Sequence, residues 1–174
     1  TYRFYLRGWM GINVDAMPGS MAQFRAKRPN DISVECGVGQ TEGTCNYHVF
    51  NDTALNTFNV DQAAEFEAHP SFHIKRIEEI RVRRLDSILA EFLPSGQEID
   101  FLSVDVEGMD LEVLRSNDWD RYRPKVIVCE VLHEKGRWMN LDCDTGVFLG
   151  EMGYEPFAKT VGTAFFHDRR NESI

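Results

Sequence analysis

Residues 99–114 read IDFLSVDVEGMDLEVL, and this stretch decides the fold. Ile99 to Val106 is nearly unbroken apolar sequence, the mark of a strand buried on both faces. Gly108 breaks the run, and Leu111, Val113 and Leu114 then return at the spacing of a helix. A buried strand passing directly into a helix is half of a β-α-β unit, which predicts a parallel sheet. The run also ends on acids: Asp105, Glu107 and Asp110 stand at its mouth.

Working outward, the same grammar repeats. GINVD (11–15), DISVECGVG (31–39) and PKVIVCEVL (124–132) are apolar runs that read as buried strands. PGSMAQFRAKRP (18–29), with Pro18 near its first turn and Pro29 as a stop, DSILAEFL (86–93) and DCDTGVFLGEMGY (142–154), ended by Gly153, read as helices, with Asp86 or Ser87 as the N-cap of the second. TCNYHVF (44–50) and HIKRIEEIRVRRL (73–85) alternate and read as strands, and the link GQTEG (39–43) suggests a hairpin or close return between the first of these and its predecessor. Residues 51–72 are polar and read as a mobile excursion above the core, with a helical patch at 62–68. Phe157 and Phe165 flank Gly162 in a terminal hairpin. The expectation is an α/β fold: one domain over residues 1–174, a mostly parallel sheet with helices on both faces and an antiparallel terminal strand.

The composition sets limits. The chain is 43% hydrophobic with a net charge of -9, which suits a globular domain and argues against nonspecific binding to nucleic acid. The five Lys/Arg and three acids of IKRIEEIRVRRLD fit a solvated strand face. No segment has the roughly 20 apolar residues of a membrane span. The four cysteines form no Cys-x-x-Cys pair; Cys36 and Cys129 lie in apolar runs as small hydrophobes, and the pattern predicts a reducing, cytoplasmic location.

In open α/β sheets, ligands bind beyond the carboxyl ends of the strands. Three strands end in acids there: Asp15, Asp105 and Glu130. Asp15 could hold the ribose hydroxyls of a nucleoside cofactor or simply start a turn. Asp105, Glu107 and Glu130 could bind a divalent cation or act as bases; strand alternation would put Asp105 and Glu107 on one side. Asp110 reads better as a charge at a helix N-terminus. His133 is a candidate base or ligand, or a plain loop histidine. The other histidines lack metal-site spacing, and Gly37 to Gly43 lacks the Gly-Lys-Ser/Thr of a phosphate loop.

GINVDA with its following proline, ALNTF (54–58), RLDSIL (84–89), IDFLSVDVEGMDLEVL and RPKVIVCEVL, in this order, resemble the FkbM family of methyltransferases from Gly8 to about Leu132. The resemblance implies a Rossmann-like class I methyltransferase domain that binds S-adenosylmethionine and methylates a hydroxyl of a sugar, glycan or natural product. It implies that Asp15 holds the cofactor ribose, that Ala16 and Met17 flank the adenine, that Cys36, Gly37 and Val38 face the adenine edge, and that Asp105, Val106 and Glu107 lie beside the methyl group. A looser likeness to sugar O-methyltransferases implies a divalent ion such as Mg on Asp105 and Glu130, with His133 as a further ligand or a base. The family's acidic-glycine first strand, expected before Thr1, is missing. That departure motivates an alternative, an inactive Rossmann-like module acting through a partner. A metal-dependent hydrolase using Asp105 and Glu107 fits Asp15 less well. Asn56 and Thr57, in ALNTF, are placed by position near the substrate. The acceptor and the oligomeric state are not written in the sequence.

Overall fold

A computed structural model describes residues 1–131 and 143–171. In chain order, the elements are α1 (Tyr2–Tyr5), β1 (Ile12–Asp15), α2 (Met21–Lys27), β2 (Ile32–Glu35), β3 (Gly37–Val38) and β4 (Gly43–Phe50). A 3-10 turn at Thr53–Leu55 leads to α3 (Val60–Glu67), β5 (Ile74–Arg83) and α4 (Leu85–Phe92). Then follow β6 (Ile99–Val104), α5 (Asp110–Arg115), β7 (Pro124–Glu130), α6 (Asp144–Glu151), β8 (Tyr154–Lys159) and β9 (Thr163–Asp168).

The fold is mixed α/β, and among the described residues the strands fall into three sheets, β1-β2, β3-β5-β4 and β6-β7-β9-β8. The pairs β1–β2, β3–β5 and β6–β7 are parallel, while β4–β5, β7–β9 and β8–β9 are antiparallel. The sheet is therefore not mostly parallel, as the sequence suggested. The reason lies in side-chain pattern. β6 and β7 are nearly continuous apolar runs and pair in parallel, as covered strands do. β5 alternates, leaves Lys75, Arg76 and Arg81 in solvent, and pairs antiparallel with β4. The terminal hairpin forms as expected, with β9 lying antiparallel between β7 and β8.

Three further expectations narrow or change. Of the hairpin or close return expected at 39–43, the return is what forms: the chain reverses there, but β5 lies between β3 and β4. Residues 51–72 are largely exposed, but Asn56, Thr57 and Ala63 are buried and Phe66 meets Phe50 of β4 edge to face, so the excursion is anchored to the body of the domain. Helix α4 starts at Leu85 without a side-chain cap. Asp86 pairs instead with Arg84, and Ser116, buried beside α5, accepts the Leu85 N–H through Oγ at 3.0 Å. A distant serine thus does the work that the local sequence assigns to Asp86 or Ser87.

The core lies between the four-stranded sheet and α4, α5 and α6. Leu85, Leu89, Val113, Leu114 and Leu149 from the helices pack with Val104, Ile127, Cys129, Tyr154 and Phe166 from the strands. Cys36 and Cys129 are buried, and all four cysteines are free. Arg123 locks the base of the sheet: Nε and Nη2 donate to Asp168 Oδ2 and Oδ1 at 2.9 and 2.7 Å, and Nη2 also reaches the Met152 carbonyl at 3.0 Å. Among the described residues no helix is long and apolar enough to cross a membrane.

Candidate active site

The site grows from the carboxyl ends of β1, β6 and β7. Asp15 is the last residue of β1 and is half-buried. Its Oδ1 accepts the Met17 N–H at 2.8 Å, so the carboxylate does start a turn, as one reading of the sequence held. One oxygen suffices for that turn. Ala16 and Met17 follow, half-buried. The Cys36 N–H donates to the Asp15 carbonyl at 3.1 Å, which places the strand exit 36–38 directly beside the β1 tip. Burial raises the Cys36 thiol pKa, so this cysteine stays protonated and unreactive. Gly37 is glycine because Phe58 leaves no room: a Cβ there would lie 2.6 Å from Phe58 Cζ.

The second half of the site is a group of carboxylates. β6 ends at Val104, so Asp105 is exposed just past the strand and the alternation that would align it with Glu107 does not apply. A turn takes its place. Glu107 has φ +47°, the left-handed region, and Gly108 follows at φ +82°. Asp110 is nearly buried and opens α5 as expected, but its carboxylate also turns back to the sheet. Oδ2 accepts the Val106 N–H at 3.4 Å and Oδ1 the Glu130 N–H at 3.2 Å, tying the β6 and β7 tips together. Glu130, half-buried at the end of β7, has its pKa pushed up to about 6 by desolvation first and then by the charges of Glu107, Asp105 and Asp110. Burial and the charges of Asp105 and Asp110 raise Glu107 in the same direction. The charges that raise Glu107 and Glu130 put Asp105, Glu107, Asp110 and Glu130 in one neighbourhood.

Tyr47 joins the two halves. It is buried on β4, tilted against Phe58 with ring centroids 4.6 Å apart. Its phenol pKa is raised to about 12 by burial, then by the charges of Asp15 and Glu107, with Asn56 hydrogen-bonding in opposition. One hydroxyl therefore feels the tips of both β1 and β6. Asn56 is buried and takes the Phe50 N–H at 2.9 Å, while its Nδ2 points to Met17 Sδ at 3.7 Å. The residues match the order and motifs that the FkbM resemblance requires, and the sequence profile described as "Methyltransferase FkbM domain" matches residues 1–156.

The chain belongs to the FkbM methyltransferase family. No curated protein and no solved structure matches it. For this FkbM domain, the structure gathers Asp15, Ala16, Met17, Cys36 and Gly37 on one side, and Asp105, Val106, Glu107 and Glu130 on the other. Val38 pairs with Arg83 and packs toward the main core. His133 lies outside the described residues. Among the described residues no group of three or more His, Cys, Asp or Glu gathers to hold a metal ion. Asp105 and Glu130 alone do not complete a cation site.

Sequence reading missed Tyr47, whose alternating position in TCNYHVF signals burial and nothing more. It also missed the second use of Asp110, an acid close enough in sequence to fold back on the strand tip. A hollow of about 680 Å³ lies at the opposite end of β6 and β7, near Ile99 and Lys125. Of its lining cations, Arg123 pairs with Asp168 and Lys125 with Glu98 and Asp100, while Arg121 lies over the Tyr122 ring. It carries none of the chemistry of the strand tips.

Proposed function

We propose that this domain transfers a methyl group from S-adenosylmethionine to a hydroxyl oxygen of a sugar, glycan or natural product. The observation that supports this best is that adjacent residues of one segment reach both halves of the site: Asn56 Nδ2 lies 3.7 Å from Met17 Sδ just past β1, and Thr57 Oγ1 lies 3.3 Å from the Glu107 carbonyl just past β6. A nucleoside end and a reacting end would then share one cleft. Asp15 would take the ribose hydroxyls with the oxygen not needed for its turn, with Ala16, Met17 and the 36–38 exit beside the base. When bound, the cofactor would supply the methyl group as an electrophilic sulfonium substituent.

The chain's own task is to align an acceptor hydroxyl and take its proton. Glu130 suits the proton transfer, because a base works best with a pKa near working pH and its own is raised to about 6. Asp105 and Glu107 sit beside it and would orient the acceptor through hydrogen bonds. Tyr47 stays neutral at any physiological pH and can donate a hydrogen bond into the cleft. The four free cysteines suit a reducing compartment.

A continuous class I sheet would need one strand between β1 and β6. Among the described residues, β1 pairs only with β2 and β6 only with β7.

The test is calorimetric titration of S-adenosylhomocysteine into residues 1–174 and into a version extended upstream, with methyl-label transfer to simple hexosides measured alongside. Binding to both, or only to the longer chain, with label in an acceptor, supports the reading. Binding to neither would leave the alternative, an inactive module that acts through a partner.

A further inference from the structure

The turn that presents Glu107 is unusual. Glu107 is the one non-glycine residue with positive φ among the described residues. A side chain with a Cβ disfavours that backbone, so something outside the turn must hold it. The surrounding contacts show what does. Thr57, on the arm between β4 and α3, is 1% exposed. Its Oγ1 lies 3.3 Å from the Glu107 carbonyl oxygen and 3.4 Å from Gln62 Oε1, and it accepts the Asn59 N–H at 3.0 Å. A hydroxyl has one proton to give, and the carbonyl is the nearer of the two acceptors.

The threonine is itself immobilised. Its backbone exchanges hydrogen bonds with His48 of β4, at 2.9 and 3.3 Å. Gln62, whose N–H is capped by Asn59 at 3.1 Å, covers the next residue of the turn. A Cβ on Gly108 would stand 2.6 Å from Gln62 Oε1. The arm thus grips both left-handed residues of the turn, one through Thr57 and one through Gln62.

We propose that Thr57 is a positioning residue: its buried hydroxyl holds the Glu107 turn in the left-handed conformation that sets this carboxylate beside Asp105 and Glu130. As a role in catalysis this rests on the methyl-transfer reading above. As a claim about the turn it stands on its own.

The test compares Thr57→Val, which keeps the shape and removes the hydroxyl, with Thr57→Ser, which keeps the hydroxyl. In the full-length protein, with S-adenosylmethionine and a set of methyl hexosides, Thr57→Val should lower kcat about tenfold, as expected for one lost hydrogen bond acting through position. Its affinity for S-adenosylhomocysteine should change less than about twofold, since the β1 tip is untouched. Thr57→Ser should restore kcat. Unchanged kcat in Thr57→Val, or equal losses in both variants, overturns the proposal. If the unaltered protein methylates none of these acceptors, the transfer reading is what fails, and melting temperatures then decide the positioning claim. Glu107→Gly should raise the melting temperature in the natural background and raise it less beside Thr57→Val, where the turn is free to relax. Equal gains overturn the claim. Should Thr57→Val fail to fold, Thr57→Ala carries the same readouts.

Discussion

Replacing Glu130 by glutamine should make this protein more stable and less active, and the stability gain should depend on pH. The ordinary carboxyl pKa of 4.5 is raised to about 6 in the folded chain. The folded state therefore binds the proton more tightly than the unfolded state does. Stability from this group is fully present below pH 4.5 and is lost as pH rises through about 6. At about 1.4 kcal/mol per pH unit, the displacement is worth about 2 kcal/mol as an upper limit. Glu130 is only half-buried, so solvent screening reduces this to about 1 kcal/mol. Glutamine keeps the shape without the charge. In a domain of this size about 1 kcal/mol corresponds to a melting shift of about 2–4 °C. Melting curves followed by circular dichroism, at pH 4.5 and pH 8, give the answer. Glu130→Gln should exceed the natural protein by that margin at pH 8 and by much less at pH 4.5. A difference that is the same at both pH values, or a variant less stable at pH 8, would refute the claim that the neighbouring acids burden Glu130. Methyl transfer, measured in parallel, should fall at least about tenfold if this carboxylate takes the acceptor's proton.

Asp15→Ala should weaken S-adenosylhomocysteine binding by about tenfold or more in calorimetry, because both ribose hydroxyls would lose a charged acceptor. Gly37→Ala should cost about 1–3 kcal/mol in urea unfolding, since its new methyl would drive into the Phe58 ring. Arg123→Lys should cost about 2 kcal/mol by the same assay, because lysine cannot make the paired bonds to Asp168 together with the bond to the Met152 carbonyl.

Much of this domain is readable in one dimension because its signals are local. Buried strands announce themselves as apolar runs, and their ends as the first acid. Asp15 and Glu130 do end β1 and β7, and Asp105 follows β6 directly. The terminal hairpin is equally local, since its two strands are separated by a short turn. Sheet order is not local. β5 takes β3 on one edge and β4 on the other, and that choice depends on which strands its polar face can leave in water.

The site divides in the same way. By itself, the sequence determined the strand tips, the acids on them and the family motifs, because each rests on neighbouring residues and a fixed spacing. Tertiary structure alone decided what those acids do to one another. Asp110 accepts an N–H from 20 residues away, Thr57 reaches a carbonyl 50 residues away, and Tyr47 feels the charges of both Asp15 and Glu107. Burial and mutual charge then displace the proton affinities of Glu107 and Glu130, and those forces act through space, where sequence spacing carries no information.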